Sequence, residues 1–118
     1  MHDPYAERIV LRVGAENETA IVYTVPAEHN FWLEECDLSP WDLAVGFCVV
    51  YIRNELDVTV RSLVSITICS EVGAVVSDHA IFPSFLKIAA GYDICVMSDA
   101  AGLDAMGAIS GFLTSDYA

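Results

Sequence analysis

The sequence predicts an all-β domain, an antiparallel β-sandwich or jelly roll of about eight to ten short strands. Apolar and polar residues alternate with a period of two along most of the chain, which is typical of half-buried strands. Proline, glycine and asparagine separate these segments at short intervals. The chain has 118 residues, which suits one core, so residues 1–118 are assigned to a single domain.

The N-terminal half holds four predicted strands, each justified by its side-chain pattern. They are Glu7–Val13, Ala20–Val25, Phe31–Leu38 and Leu43–Arg53. In the first strand, Ile9 and Leu11 lie on one face and Arg8 on the other. Pro26 and Pro40 follow the second and third strands, and proline cannot donate a hydrogen bond to a sheet. The fourth segment has enough length for a helix, but its β-branched and aromatic residues favour a strand.

The C-terminal half continues the same pattern. Its predicted strands are Leu63–Ser70, Ala80–Phe82, Phe85–Ile88, Tyr92–Met97 and Ala105–Leu113, with an extra short strand at Ala74–Val76. Val64, Ile66 and Ile68 are expected to face the core, since polar residues alternate with them. Residues 98–104 are expected to form a loop, with one helical turn within residues 98–106 as the alternative.

Some predicted strands are apolar on both faces. In residues 94–97, alternate side chains point in opposite directions, and all four are apolar or cysteine. An antiparallel sheet normally turns one face to water. With 55% apolar residues in the whole chain, we therefore expect a multimer in which a neighbouring subunit covers the second face. The candidate interface residues are Cys48, Val50, Cys95 and Met97.

The charge of the chain excludes several kinds of partner. With 17 acidic and five basic residues, the net charge is −12, which repels phosphate backbones and makes direct nucleic-acid binding unfavourable. An acidic DNA mimic is a minor alternative, because the acidic residues are scattered rather than ordered in rows. No apolar run reaches the roughly 18 residues of a membrane helix, and no secretion signal is expected. Neither a nucleic acid nor a membrane is therefore expected as a partner.

The sequence offers no motif for catalysis, so an enzyme is not predicted. His2, His29 and His79 have no partner at metal-ligand spacing. Residues 77–79 read Ser-Asp-His, but adjacent residues of an extended segment point apart, so a polar turn is favoured over a catalytic triad. No metal or cofactor is expected. For the acidic cluster at residues 34–42, a solvated strand edge is favoured over a Ca²⁺ site, because its spacing matches no calcium loop.

Two further residue types bear on binding and folding. Trp41 follows Pro40 in a predicted loop, and with Asp42 it is the candidate contact for a ligand or partner. The cysteines lie in apolar strand-like segments and show no metal-binding or redox spacing, so buried, reduced thiols are expected; they are Cys36, Cys48, Cys69 and Cys95.

Three stretches carry a resemblance to a known group of proteins. Residues 20–27 read AIVYTVPA, residues 86–96 read LKIAAGYDICV after Phe82-Pro83, and residues 109–113 read ISGFL. This pattern resembles the opening and closing strands of small β-sandwich structural proteins of tailed bacteriophages. It is also similar to the last strands of trimeric jelly rolls of the tumour-necrosis-factor type. In this chain Tyr92 separates a glycine and an aspartate that are usually adjacent in the pattern.

The resemblance implies a virion component without catalytic residues. It suggests a decoration, or cement, protein on the capsid exterior, with a homotrimer bound to the major capsid protein. Residues 1–6 and 114–118 are the expected arms that would contact the shell. The alternative is a carbohydrate- or receptor-binding module of a tail fibre, spike or baseplate, which would use Trp41 and Asp42.

Overall fold

The structure is a computed structural model that describes residues 6–42, 44–69 and 77–115, without the side chains of Trp41 and Asp42. It contains β1 Glu7–Glu16, β2 Thr19–Thr24, β3 His29–Asp42, β4 Gly46–Arg53, β5 Thr59–Ile68, β6 Asp78–Ala89, β7 Asp93–Ser98 and β8 Asp104–Ser115. Within these ranges no helix has the length and apolarity needed to cross a bilayer.

The eight strands form two antiparallel sheets of four. The front sheet has the order β1-β8-β3-β6, and the back sheet has the order β2-β7-β4-β5. The pairing joins β1 to β8, β2 to β7, β3 to β6 and β4 to β5, so the chain resembles one long hairpin rolled into two layers. This is the jelly-roll arrangement, and it confirms the predicted β-sandwich.

The core lies between the two sheets. The front sheet contributes Phe31, Leu33 and Ile109, and the back sheet contributes Val50 and Ile94, all almost completely buried. The alternation of the strands produces this arrangement, because every second side chain of each strand points inward. The predicted inward residues of β5 are confirmed: Val64, Ile66 and Ile68 are buried. Ile9 and Leu11 of β1 pack against the same core.

The third strand is longer than predicted. It continues through Pro40 to Asp42, instead of ending at Leu38. Pro40 is tolerated because β6 pairs with β3 only as far as Leu38, so beyond that point β3 keeps the single described neighbour β8. Within the described ranges that side of the strand has no partner, so the missing N–H of Pro40 breaks no described ladder. Sequence reasoning placed Trp41 in a loop, and the structure places its main chain in β3.

The sixth strand merges two predicted strands. Sequence reasoning separated residues 80–82 from 85–88 at Pro83, but β6 runs from Asp78 to Ala89. At the position of the predicted break, β6 forms a bulge. There the four residues 82–85 lie opposite a single residue of β3, Glu34. Phe85 has a φ of 57° there, which is unusual for a bulky side chain. The bulge therefore keeps both halves in one sheet.

Other boundaries also differ from the sequence prediction. Residues 99–102 form a turn, and no helical turn is assigned between Ser98 and Asp104. Thr114 and Ser115 belong to β8 and are not part of an arm, since they pair with Asn30 and His29 of β3. The predicted strand at residues 74–76, and the remainder of both predicted arms apart from Ala6, lie outside the described residues.

The cysteines divide into three buried thiols and one exposed thiol. Cys36, Cys48 and Cys95 are buried as predicted, whereas Cys69 follows the last residue of β5 and is exposed. Burial raises the pKa of the Cys36 thiol from 9.0 to about 12. Burial also raises the pKa of Cys48, to about 11. Both thiols therefore keep their protons in the folded chain at a pH where an unfolded chain would release them.

This proton retention predicts that stability falls in alkaline solution. Above pH 9.0 the unfolded state ionises its thiols and the folded state does not, so the free energy of unfolding decreases as the pH rises toward about 12. Urea denaturation between pH 8 and pH 11 measures this slope. The slope should be shallower in Cys36→Ala and unchanged in Cys69→Ala, whose thiol is exposed. Equal slopes in the wild type and Cys36→Ala would contradict the assignment.

Candidate functional site

The outer face of the front sheet carries a row of cationic and aromatic side chains, here called the cation–aromatic row. The pairing register places Arg8, Phe112, Trp32 and Lys87 side by side on four neighbouring strands. The Arg8 guanidinium lies 5.3 Å from the centre of the Phe112 ring, and the Lys87 ammonium lies 5.8 Å from that of Trp32. These are cation–π contacts, so the cations at both ends lean over the aromatic rings between them.

Other groups fix the two rings of the cation–aromatic row. Trp32 Nε1 donates a hydrogen bond of 2.8 Å to Thr114 Oγ1. Phe85, from the bulge in β6, meets Phe112 edge-on with ring centres 6.1 Å apart. Arg8 also lies 3.7 Å from the carboxylate of Glu34. This end of the face therefore combines a large apolar area with positive charge.

The middle of the outer face holds a buried hydroxyl between exposed apolar residues. The register aligns Val10, Ser110, Glu35 and Ile81 across the sheet. Val10 is 66% exposed and Ile81 is 58% exposed, although both are large apolar residues. Ser110 is only 6% exposed, and its Oγ has no hydrogen-bond partner among the described residues. Buried polar atoms are almost always paired, so this hydroxyl points to a missing contact.

A groove runs along β8 at the other end of the face. The small side chain of Ala108 forms its floor between Arg12 of β1 and Asp37 of β3, while His79 of β6 lies beyond Asp37. Two adjoining hollows, of about 360 and 260 Å³, are both lined by Arg12, Asp37 and Ala108. On this face β1 carries two positive charges, Arg8 and Arg12, before it ends at Glu16, whereas β3 carries carboxylates.

The Ser-Asp-His segment lines this groove but does not form a triad. Ser77 precedes β6, and Asp78 and His79 are its first two residues, so their side chains alternate between faces. The backbone N–H of His79 donates to Asp78 Oδ1 at 2.8 Å. Among the described residues, the His79 ring forms no ion pair with a carboxylate. No group of three or more His, Cys, Asp or Glu in the described ranges is placed to hold a metal ion.

The structure separates the four predicted interface residues. Cys95 and Met97 lie on the outer face of the back sheet, opposite Tyr51 and Val49 of β4; Cys95 is buried there and Met97 is half-buried, and their place in an interface stays a prediction. Cys48 and Val50 are instead fully buried between the sheets, so their assignment to a subunit interface is wrong. Both sides of β4 are apolar, and the sequence prediction chose the side that packs against the front sheet.

The other predicted contact keeps its status as a prediction. Trp41 and Asp42 belong to β3, and Asp42 pairs with Asp104 of β8. Their side chains are not among the described ones. Sequence reasoning did not identify the cation–aromatic row or the groove. The alternation in residues 106–112 was visible, but the side-by-side placement of four strands depends on long-range pairing.

Comparisons with known proteins add no family to this description. No family model matches the chain, and no curated protein matches it.

Proposed function

We propose that this chain is a structural protein that assembles with copies of itself through the outer face of the front sheet. The observation that carries the proposal is the buried Ser110 hydroxyl, which has no partner within the described part of the chain and lies between the exposed apolar side chains of Val10 and Ile81. A second copy would cover the apolar groups and supply a polar partner. Exposed apolar patches of this kind are typical of protein interfaces.

The charges of the face favour a closed ring of copies. Because β1 presents Arg8 and Arg12 while β3 presents Glu35 and Asp37, the two sides of the face are complementary. If the β1 edge of each copy lies against β3 and β6 of the next, Arg12 meets the Asp37 carboxylate of its neighbour. Head-to-tail contacts of this type form a ring when the rotation between copies closes, and an open filament when it does not. A ring of three agrees with the resemblance to trimeric jelly rolls.

In its particle, the assembled protein is proposed to decorate the exterior of a viral capsid and to hold neighbouring capsid subunits together. The net charge of −12 suits an exterior position away from packaged nucleic acid. Mass spectrometry of purified particles, with binding of the chain to capsids that lack it, tests this location. A chain that is absent from particles and does not bind capsids would contradict the location without affecting self-assembly.

Self-assembly is tested by placing a charge on the face. The wild-type chain should sediment as a trimer at micromolar concentration, whereas Val10→Glu should weaken association at least about 100-fold, because the interface would bury an unpaired carboxylate. Val45→Glu is the matched control, since Val45 is similarly exposed but precedes β4 in the back sheet. A monomeric wild type, or equal behaviour of the two variants, would rule out this face as the contact.

A further inference from the structure

A second surface lies at one side of the sandwich, between the edges of its two sheets. β5 is an edge strand of the back sheet and β6 is an edge strand of the front sheet. Between them opens a cleft of about 300 Å³, here called the edge cleft, whose lining includes Ile52, Val60, Arg61, Leu86, Lys87 and Tyr92. Ile52 belongs to the core, so the floor of the cleft is continuous with the hydrophobic interior.

The charge of the edge cleft is opposite to that of the whole chain. Two of the five basic residues, Arg61 and Lys87, line the cleft, and no acidic residue of the described ranges does. Among the described residues neither cation forms an ion pair with a carboxylate. Arg61 lies 5.6 Å from the centre of the Phe82 ring, and Lys87 lies over Trp32. Both cations are therefore held in place by aromatic rings, with their charge available to a ligand.

The edges of the two sheets add backbone groups to this chemistry. An edge strand has N–H and C=O groups directed away from its only neighbour, and these can pair with an added strand. Val60 of β5 is an exposed apolar residue at this edge. An extended peptide lying along the cleft would satisfy the backbone groups, insert alternate apolar side chains toward Ile52 and Leu86, and direct the other side chains outward to the cations.

We propose that the edge cleft binds an extended segment of a partner protein in which apolar and acidic residues alternate. This inference goes beyond the proposed self-assembly, because its ligand is a different chain. The cleft lies between the described edges of β5 and β6 and shares Lys87 with the cation–aromatic row. Complementary charge selects the acidic residues, the floor selects the apolar ones, and the free strand edges select an extended main chain.

The experiment uses an eight-residue peptide of alternating valine and glutamate, blocked at both ends, titrated into the full chain by calorimetry. We expect saturable binding that falls at least tenfold in the double variant Arg61→Gln/Lys87→Gln. A peptide of alternating valine and lysine should not bind. Glu18→Gln is the matched control, because Glu18 is exposed between β1 and β2, at the opposite edges of the two sheets, and the affinity of this variant for the glutamate peptide should be unchanged.

Reversing the charge gives an independent test. The double variant Arg61→Glu/Lys87→Glu should lose the glutamate peptide and gain the lysine peptide. Three results would each overturn the proposal. They are affinities that are the same in these variants as in the wild type, equal binding of both peptides to the wild type, and binding of octanoate, an apolar anion, without binding of the peptide. Titration of Val10→Glu separates the two proposals: peptide binding by that variant supports the cleft whether or not the wild type forms trimers.

Discussion

Replacing Gly111 by alanine is expected to lower the free energy of unfolding by about 3 kcal/mol. A Cβ at this position would lie 2.7 Å from the Phe31 ring and 3.1 Å from Leu33 Cα, and closer still to the carbonyl oxygen of Trp32. Two of these three contacts are to backbone of β3, so no side-chain rotation can relieve them. The central pair of the front sheet, β8 and β3, would have to separate. Urea denaturation of the purified variant measures the change.

Gly14→Ala is the matched control for this prediction. Gly14 lies on β1 of the same sheet, but a Cβ there would have its nearest neighbours at 3.8 Å, which is ordinary van der Waals contact. Alanine also restricts the unfolded chain more than glycine does, so the variant should be as stable as the wild type or more stable by up to about 1 kcal/mol. If Gly111→Ala were equally harmless, the close approach of β8 to β3 would be wrong.

Asp93→Ala is expected to destabilise the back sheet by about 2–3 kcal/mol. Asp93 is only 8% exposed and joins three strands. Its Oδ1 accepts a hydrogen bond of 2.6 Å from Thr24 Oγ1 on β2, and its Oδ2 accepts one of 3.0 Å from Arg53 Nε on β4. Removing the carboxylate leaves both donors without this acceptor, one of them charged. Thermal and urea unfolding of the variant report the loss.

The same arginine provides the control. Asp57 also pairs with Arg53, at 3.4 Å, but its side chain is 70% exposed. Exposed ion pairs contribute little, so Asp57→Asn should change the stability by no more than about 0.5 kcal/mol. Asparagine is used because Asp57 has a φ of 61°, which asparagine tolerates and alanine does not. A loss from Asp57→Asn as large as that from Asp93→Ala would mean that charge alone, rather than the buried hydrogen bonds across β2, β7 and β4, accounts for the effect.

The layered all-β fold could be predicted because its signal is local. Alternation within β5 places Val64, Ile66 and Ile68 on the buried face, and no information from other strands is needed to see it. The end of β3 could not be predicted in the same way. Pro40 looks like a strand terminator, yet it is accommodated because β6 has already ended its pairing at Leu38. The extent of the β3–β6 pairing depends on residues far from Pro40 in the sequence, so the local pattern around Pro40 does not reveal it.

The candidate site was hidden for the same reason. Arg8, Phe112, Trp32 and Lys87 are scattered along the sequence, and only the registers of three strand pairs bring them into one row. For β4, a sequence that is apolar on both sides cannot tell which side meets the other sheet. The error at Cys48 and Val50 follows from this ambiguity, while Cys95 and Met97 lie on the outer face of their sheet.

The rolled-hairpin pairing has a consequence for how the chain acquires its structure during synthesis. Among the described strands, only β4 and β5 are both consecutive in sequence and hydrogen-bonded to each other. As the ribosome extends the chain, that hairpin is the first pair of described strands that can form, and β1 must wait for β8. Folding dominated by such distant pairings is slow. β1 therefore remains unpaired, and open to association with other chains, until translation reaches β8, whereas β3 and β2 can already pair with β6 and β7.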